Sequence, residues 1–288
     1  MLIDTHAHLN FNAYKDDVGK VIQRSLENNV WIINVGSQYF TSKRAVEIAQ
    51  NYEKGVYAAV GLHPIHLETG LVKIKNDREE IEIKTKEEDF DYEKYKEMAK
   101  SEKVVALGEF GLDYYWKPKT TKKKELFKQK QKNLALKQLE LAKELNLPVI
   151  FHCRLAHDDL IEILQKYGSW KIKGVVHGFV GTTGQLEKYL KMGLYLGFNG
   201  IIFKNIQGID FQRNIKKTPL SKILIETDCP YLIPPLEVLR EGDRKNSPRN
   251  EPCFVKYVAE KIAQIKKTNY EQTIKTTTEN AKNLFRLK

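Results

Sequence analysis

The sequence is poor in the features that would place it in several large classes. It has only 3 cysteines in 288 residues, too few and too scattered for a disulfide-stapled secreted scaffold. No run of eighteen apolar residues occurs, so no membrane span is expected. The opening Met-Leu-Ile-Asp-Thr-His lacks a basic stretch followed by an apolar one. No signal peptide is read there, and a cytoplasmic location is the expectation. No glycine-rich dinucleotide fingerprint follows the first apolar run, which argues against a Rossmann fold. Low hydrophobicity, the mark of a disordered chain, is also missing: 41% of residues are hydrophobic, enough for a large core.

What the chain has is charge and a repeated unit. Lysine and arginine number 48 against 37 acids, a net charge of +11. The excess is local. Between Lys117 and Lys137 nine lysines face one acid, Glu125, a field that attracts polyanions or simply solvates a helix face. The stretch from Val72 to Asp91 mixes eight acids with five basic residues and reads as a charged surface insertion, at about 67–91, after the third strand.

Eight short apolar runs alternate with amphipathic segments. The runs are Leu2–Ile3, Trp31–Val35, Val56–Gly61, Val104–Gly108, Val149–Phe151, Gly174–Val176, Leu194–Gly197 and Ile223–Ile225. They are rich in Val and Ile and do not alternate with polar residues, as strands buried on both faces of a parallel sheet do not. Helices are expected at 17–28, 41–52, 92–100, 123–145, 157–167 and 185–191, and two more at 251–265 and 270–285. Eight βα units predict an α/β fold, a single (β/α)8 TIM barrel over residues 1–288 with extra C-terminal helices.

In such a barrel the chemistry sits at the C-terminal strand ends. His6 and His8 follow the first run, His63 the third, Glu109 the fourth, His152 the fifth, His177 the sixth, and Glu226 and Asp228 the eighth. Five of 7 histidines therefore fall where a barrel active site is built. His66 and His157 are the exceptions, assigned to loop or helix. In a strand, residues two apart share a face, so His6 and His8 aim together, as zinc-type ligands would. Four histidines (His6, His8, His152, His177) and two acids (Glu109, Asp228) are too many for one open catalytic ion. They suit a pair of ions, with Glu109 as the shared carboxylate. His6, His8 and Asp228 would complete one ion, and His152 and His177 the other. Two divalent ions against two carboxylates leave a positive site, which favours a phosphodiester over a neutral amide. Arg154 is placed to fork onto a phosphate or to pair with a carboxylate. The run Tyr114-Tyr115-Trp116 would stack on unpaired bases or cap the barrel.

These segments resemble the TatD family of metal-dependent deoxyribonucleases, within the broader amidohydrolase-like barrels. The matching stretches are IDTHAHL at 3–9, GLHP at 61–64, GEFGLDYY at 108–115, FHCR at 151–154, VHGF at 176–179, ETDCPYL at 226–232 and RNEP at 249–252. The resemblance implies His6, His8, Glu109, His152, His177 and Asp228 as metal ligands, the set reached from strand position. It adds His63, Asp113, Arg154 and Glu226 as residues lining the site, and Asn250 more weakly. It implies hydrolysis of DNA, from a 3′ end of a single strand, in repair or turnover. Cys153 and Cys229 depart from the family pattern, which often has serine there. Both are read as packing residues, with thiols turned away from the ligands. Three alternatives stay open: a mononuclear amide hydrolase or deaminase, an aminoacyl-tRNA ester hydrolase, and a nucleic-acid-binding protein without catalysis. The ions could be Zn, Mn, Fe, Co or Ni, which suit imidazole, or the Mg often associated with the family.

Overall fold

The computed structural model describes residues 1–71, 86–168, 172–246 and 249–288. Eight parallel strands lie in sequence order around one sheet: β1 (Leu2–Ala7), β2 (Val30–Val35), β3 (Val56–Val60), β4 (Val104–Asp113), β5 (Val149–Arg154), β6 (Gly174–Val176), β7 (Tyr195–Phe198) and β8 (Ile223–Ile225). The ring closes between the first and last strands. Ala7 bridges Cys229 in parallel register, Asp228 N–H donates to His6 O at 2.8 Å, and His8 N–H donates to Cys229 O at 2.8 Å. This is the (β/α)8 barrel.

Ten helices among the described residues cover the strands: α1 (Val18–Glu27), α2 (Tyr39–Gln50), α3 (Tyr92–Ala99), α4 (Thr121–Glu144), α5 (His157–Tyr167), α6 (Thr183–Lys191), α7 (Phe211–Lys217), α8 (Glu241–Asn246), α9 (Val255–Lys266) and α10 (Tyr270–Phe285). Local chemistry marks their starts. The Asp91 carboxylate accepts from Lys94 N–H at α3, Asp210 from Arg213 N–H at α7, and Asn269 from Glu271 N–H at α10. At α6, Thr182 and Gln185 form a reciprocal capping box. The long helix α4 buries Phe127, Gln131, Leu134, Gln138 and Leu141 and leaves its lysines outside. A cluster of Ile3, Ile33, Val105, Ile150, Val175 and Leu224 joins the strands to Leu284 and Phe285 of α10, so the last helix is part of the barrel core. No helix among the described residues is long and apolar enough to cross a membrane.

Three expectations shift. β1, β4 and β5 run further than their apolar residues, to Ala7, Asp113 and Arg154. His6, Glu109 and His152 are therefore inside strands rather than after them, because backbone pairing continues past the point where apolar side chains stop. Helices α7 and α8, both short, lie in segments not read as helical. The insertion expected at about 67–91 falls mostly outside the described residues. Of its described part, Glu88 accepts from the backbone N–H of Tyr39 at 3.0 Å and from the Tyr95 hydroxyl at 2.9 Å.

Candidate metal centre

The strand ends bring the polar residues to one mouth. His6 Nε2 lies 3.2 Å from His8 Nε2. Around this pair stand Glu109 Oε1, at 3.6 and 3.5 Å, and Asp228 Oδ1, at 3.8 and 3.3 Å. On the other side His152 Nδ1 lies 3.3 Å from His177 Nε2, with Glu109 Oε2 at 3.4 and 3.1 Å from them. The two oxygens of Glu109 thus face two different donor groups. Four sets of three potential ligand atoms lie close together among the described residues: His6, His8 and Asp228 on one side, Glu109, His152 and His177 on the other, and two that overlap them, His6, His177 and Glu226, and His63, Asp113 and His152.

The backbone geometry serves this approach. β4 shifts register against β5 between Gly108 and Phe110. A Cβ on Gly111 would collide with the His152 carbonyl, so only glycine lets β4 lie this close beside the His152 strand. Asp228 takes a left-handed backbone, φ 59°, which aspartate tolerates better than most residues. The turn begins where Thr227 is pinned. Its N–H and hydroxyl donate to the Asp4 carboxylate at 2.9 and 2.5 Å, tying β1 to the segment after β8.

His8 and His152 are oriented by a hydrogen bond at the other nitrogen, the arrangement that aims a ligand lone pair, whereas His6 Nδ1 and His177 Nδ1 have no aligned hydrogen-bond partner among the described residues. His8 Nδ1 sits 2.8 Å from Val35 O, which requires its proton there and leaves Nε2 bare toward the centre. His152 Nε2 sits 3.0 Å from Asp113 Oδ2, leaving Nδ1 for the centre. His177 Nδ1 lies 3.4 Å from Glu226 Oε1, and that glutamate also accepts from Gly178 N–H. His63 is turned differently. Its Nδ1 accepts from Ile65 N–H at 3.1 Å, so its proton is on Nε2, 4.0 Å from Glu109 Oε2.

The electrostatics follow from crowding. Burial alone would raise the Glu109 carboxyl, but the imidazoles of His63, His6, His152 and His177 hold it well below the ordinary carboxylate range. Asp113 and Asp228 are lowered against the same burial by His152 and His8 respectively. Burial works against protonated His8, His152 and His177, yet the facing carboxylates keep all three above the ordinary histidine value. His6 and His63 go down, because burial and neighbouring imidazoles dominate there.

These features test whether a divalent cation fits. Two pairs of imidazole nitrogens point at each other beside carboxylate oxygens. Glu109 Oε2 is buried without an aligned hydrogen-bond donor among the described residues. A cation is the species all of these groups accept together, and the donor set fits.

The remaining expected residues sort cleanly. Arg154 is exposed, and its guanidinium lies 3.7 Å above the Tyr115 ring. Tyr114 donates its hydroxyl to Asp159. Asn250 donates to Thr227 O at 3.1 Å and to Tyr231 O at 2.6 Å, so it braces the Asp228 loop from behind. Cys153 and Cys229 are buried free thiols that burial pushes up, as packing residues would be. His66 and His157 are buried outside these sets. Sequence reasoning missed Asp4, the Val35 carbonyl and two glutamines of α4. Gln131 pairs with both backbone groups of Asp113, and Gln138 with both of Leu62. Polar residues seven apart in an otherwise apolar helix stripe were the available signal.

A parallel barrel with histidines and carboxylates converging on its mouth defines a metal-dependent hydrolase. The family described as TatD related DNase matches residues 3–286, and the chain belongs to that family. It is similar to an uncharacterised metal-dependent hydrolase, YabD, of Bacillus subtilis, with 39% identity over the whole of both chains. It is 30% identical to the 3′-5′ ssDNA/RNA exonuclease TatD of Pantoea ananatis, covering 99% of this chain and all of that one. The crystal structure of YJJV, a TatD homologue from Escherichia coli K12, superposes with a TM-score of 0.80 at 29% identity, covering 100% of this chain and 98% of that one.

Proposed function

We propose that this enzyme hydrolyses phosphodiester bonds of single-stranded nucleic acid, DNA first, removing nucleotides from a 3′ end with two divalent ions. The observation that carries this reading is the division of Glu109: one oxygen toward His6, His8 and Asp228, the other toward His152 and His177. One group would hold each ion, with Glu109 shared. Four imidazoles favour Zn, Mn, Fe, Co or Ni over Mg. Bound together, the ions would acidify water for attack and neutralise charge on the phosphate.

The protein's own groups supply the rest. The Asp228 side chain keeps 18% exposure while those of His6 and His8 have 0% and 3%, so it is the carboxylate at the opening, placed to accept the proton of the attacking water. The His63 Nε2–H, on a ring too hard to protonate to act as an acid, orients a phosphate oxygen. Asp113 would hold His152 in its working tautomer, and Glu226, 3.4 Å from His177 Nδ1, would favour a proton there. Arg154, held over the Tyr115 ring, would offer its guanidinium to a phosphate. The 3′ polarity and single-strand preference draw on the name of the Pantoea relative.

The test is metal-reconstituted enzyme on end-labelled single- and double-stranded DNA and RNA, with metal counted per chain. The expected result is stepwise loss of nucleotides from the 3′ end of single strands and two ions per chain. One ion per chain, with uncut oligonucleotides and turnover of an amide or amidine, would overturn the reading.

A further inference from the structure

Beside the centre, beyond Asp113, a cleft of about 230 Å³ opens between the end of β4 and the first turns of α4. Its apolar lining comes from buried Phe127 and from Leu155, which is exposed at its edge. Lys117, Lys124 and Lys128 line its walls. We propose that this cleft is a second phosphate subsite, which takes a backbone phosphate of the uncleaved part of the strand. This rests on the nuclease reading above and adds how the enzyme grips a polymer.

Three independent observations support it. The first is charge. Among the described residues no carboxylate is paired with Lys117 or Lys124. Lys128 lies 3.0 Å from Glu125 and 5.1 Å from the Tyr114 ring centre. Lys132, by contrast, is already neutralised by Asp159 at 2.8 Å. The one acid in the cleft wall, Asp113, has its oxygens engaged. Oδ1 accepts from Tyr115 and Trp116 N–H, and Oδ2 faces His152. Lys128 is thus shared with Glu125, and the cleft keeps two lysines, Lys117 and Lys124, with no paired carboxylate among the described residues; ammonium groups bind phosphate as point charges.

The second is position. Asp113 is shared: its carboxylate touches His152 of the centre, and the residue is also among those that line the cleft. A chain whose end lies at the centre and which leaves over Asp113 enters the cleft next.

The third is exposed apolar surface. Leu155 is 66% exposed and Tyr115 47%. Leu155 takes a left-handed backbone, φ 56°, uncommon for a leucine and a conformation that clusters at functional sites. Tyr115 is held face-on under Arg154. Lysines beside an exposed leucine, with the Tyr115 ring next in the chain to the cleft-lining Tyr114, match the pairing of charge and stacking surface that grips single strands.

The occupant is a phosphodiester inside a strand, not a terminal phosphate. The experiment compares the wild type with the triple variant Lys117→Gln/Lys124→Gln/Lys128→Gln and with Lys117→Arg/Lys124→Arg/Lys128→Arg. Both are checked for metal content and circular dichroism. Substrates are a small chromogenic phosphodiester and single-stranded oligonucleotides of two to twelve nucleotides, with and without a 5′-phosphate. The glutamine variant should raise KM for the longer oligonucleotides about tenfold and reduce the slope of log affinity against log salt by about 0.7, the value for one phosphate of a single strand. It should leave kcat/KM for the small diester unchanged, and the arginine variant should keep the wild-type length preference. Unaltered KM and salt slope on oligonucleotides would overturn the subsite. So would equal losses on both substrates, or an effect seen only with a 5′-phosphate. If the wild type cuts neither oligonucleotide nor small diester, it is the nuclease reading that has failed.

Discussion

Asp113 holds His152 from behind: its Oδ2 lies 3.0 Å from Nε2, so the proton sits there and Nδ1 turns to Glu109 Oε2 at 3.4 Å. Asp113→Asn keeps the size but removes the negative charge, and its amide can present an N–H where an acceptor is needed. Loss of such a supporting carboxylate lowers metal affinity or activity by about 10–100-fold. We expect metal content of the His152 side and turnover to fall together in that range, measured by equilibrium dialysis and steady-state kinetics. Full metal content at unchanged rate would show that His152 needs no such support.

The Glu109 carboxylate is expected to serve both halves of the centre. Glu109→Gln leaves a single acceptor oxygen and no charge, so both halves weaken. The expected result is fewer than two ions per chain and activity at background. A variant that retains two ions would exclude a shared role for Glu109.

Metal uptake must compete with protons. His8, His152 and His177 stand above the ordinary histidine value because carboxylates outweigh their burial, and a ligating imidazole must be neutral. In the metal-free protein this ion-pair stabilisation is complete below the unfolded histidine value. It is lost as pH rises through the folded values. Metal affinity runs the other way, weakening as pH falls, with protons released on loading. Titration calorimetry at neutral pH in two buffers of different ionisation heat should show net proton release.

Much of this was legible in the residues, for reasons that differ from place to place. Buried parallel strands need apolar runs, so eight Val- and Ile-rich segments gave the barrel. The His6–His8 spacing revealed a shared strand face. What the pattern could not carry was pairing between distant backbones. Nothing near Val35 marks its carbonyl as the partner of His8. The strand ends at Asp113 and Arg154 continue through polar residues that composition assigns to loops. Helix α7, with Asp210 as its cap, is only seven residues long, too short to show a periodic stripe.

Gln131 is the clearest residue of this kind. Its amide donates to Asp113 O at 2.8 Å and accepts from Asp113 N–H at 2.7 Å, replacing a strand neighbour at the end of β4. Gln131→Leu is apolar and similar in size, but it leaves two buried backbone groups without partners. Each such group costs about 1–3 kcal/mol. We expect a urea-unfolding loss of about 2–6 kcal/mol and reduced kcat, because Asp113 no longer has a fixed seat. Unchanged stability would mean that water replaces the amide.

His157 supplies a test away from the candidate metal centre. Its ring is buried between two partners: Nε2 lies 3.0 Å from Val180 O and Nδ1 lies 3.1 Å from the Tyr189 hydroxyl. The carbonyl requires a proton on Nε2, and the hydroxyl can donate to Nδ1, so the neutral ring satisfies both. Burial pushes its pKa down to about 4, with the Val180 carbonyl opposing only in part. For a depressed histidine, the stabilisation is complete above the unfolded value near 6.5 and is lost as pH falls toward 4. That shift corresponds to about 3 kcal/mol in full, of which about 2 kcal/mol is gone by pH 5. In His157→Gln this component is absent. Urea midpoints measured at pH 7.5 and pH 5 under one metal condition should therefore separate less in the variant than in the wild type. The variant should be the less stable of the two at pH 7.5, since glutamine cannot fill the ring's place against Phe179 and Tyr189. Parallel pH dependence in the two proteins would mean that His157 protonates without cost, and that the Val180 and Tyr189 contacts do not fix its neutral form.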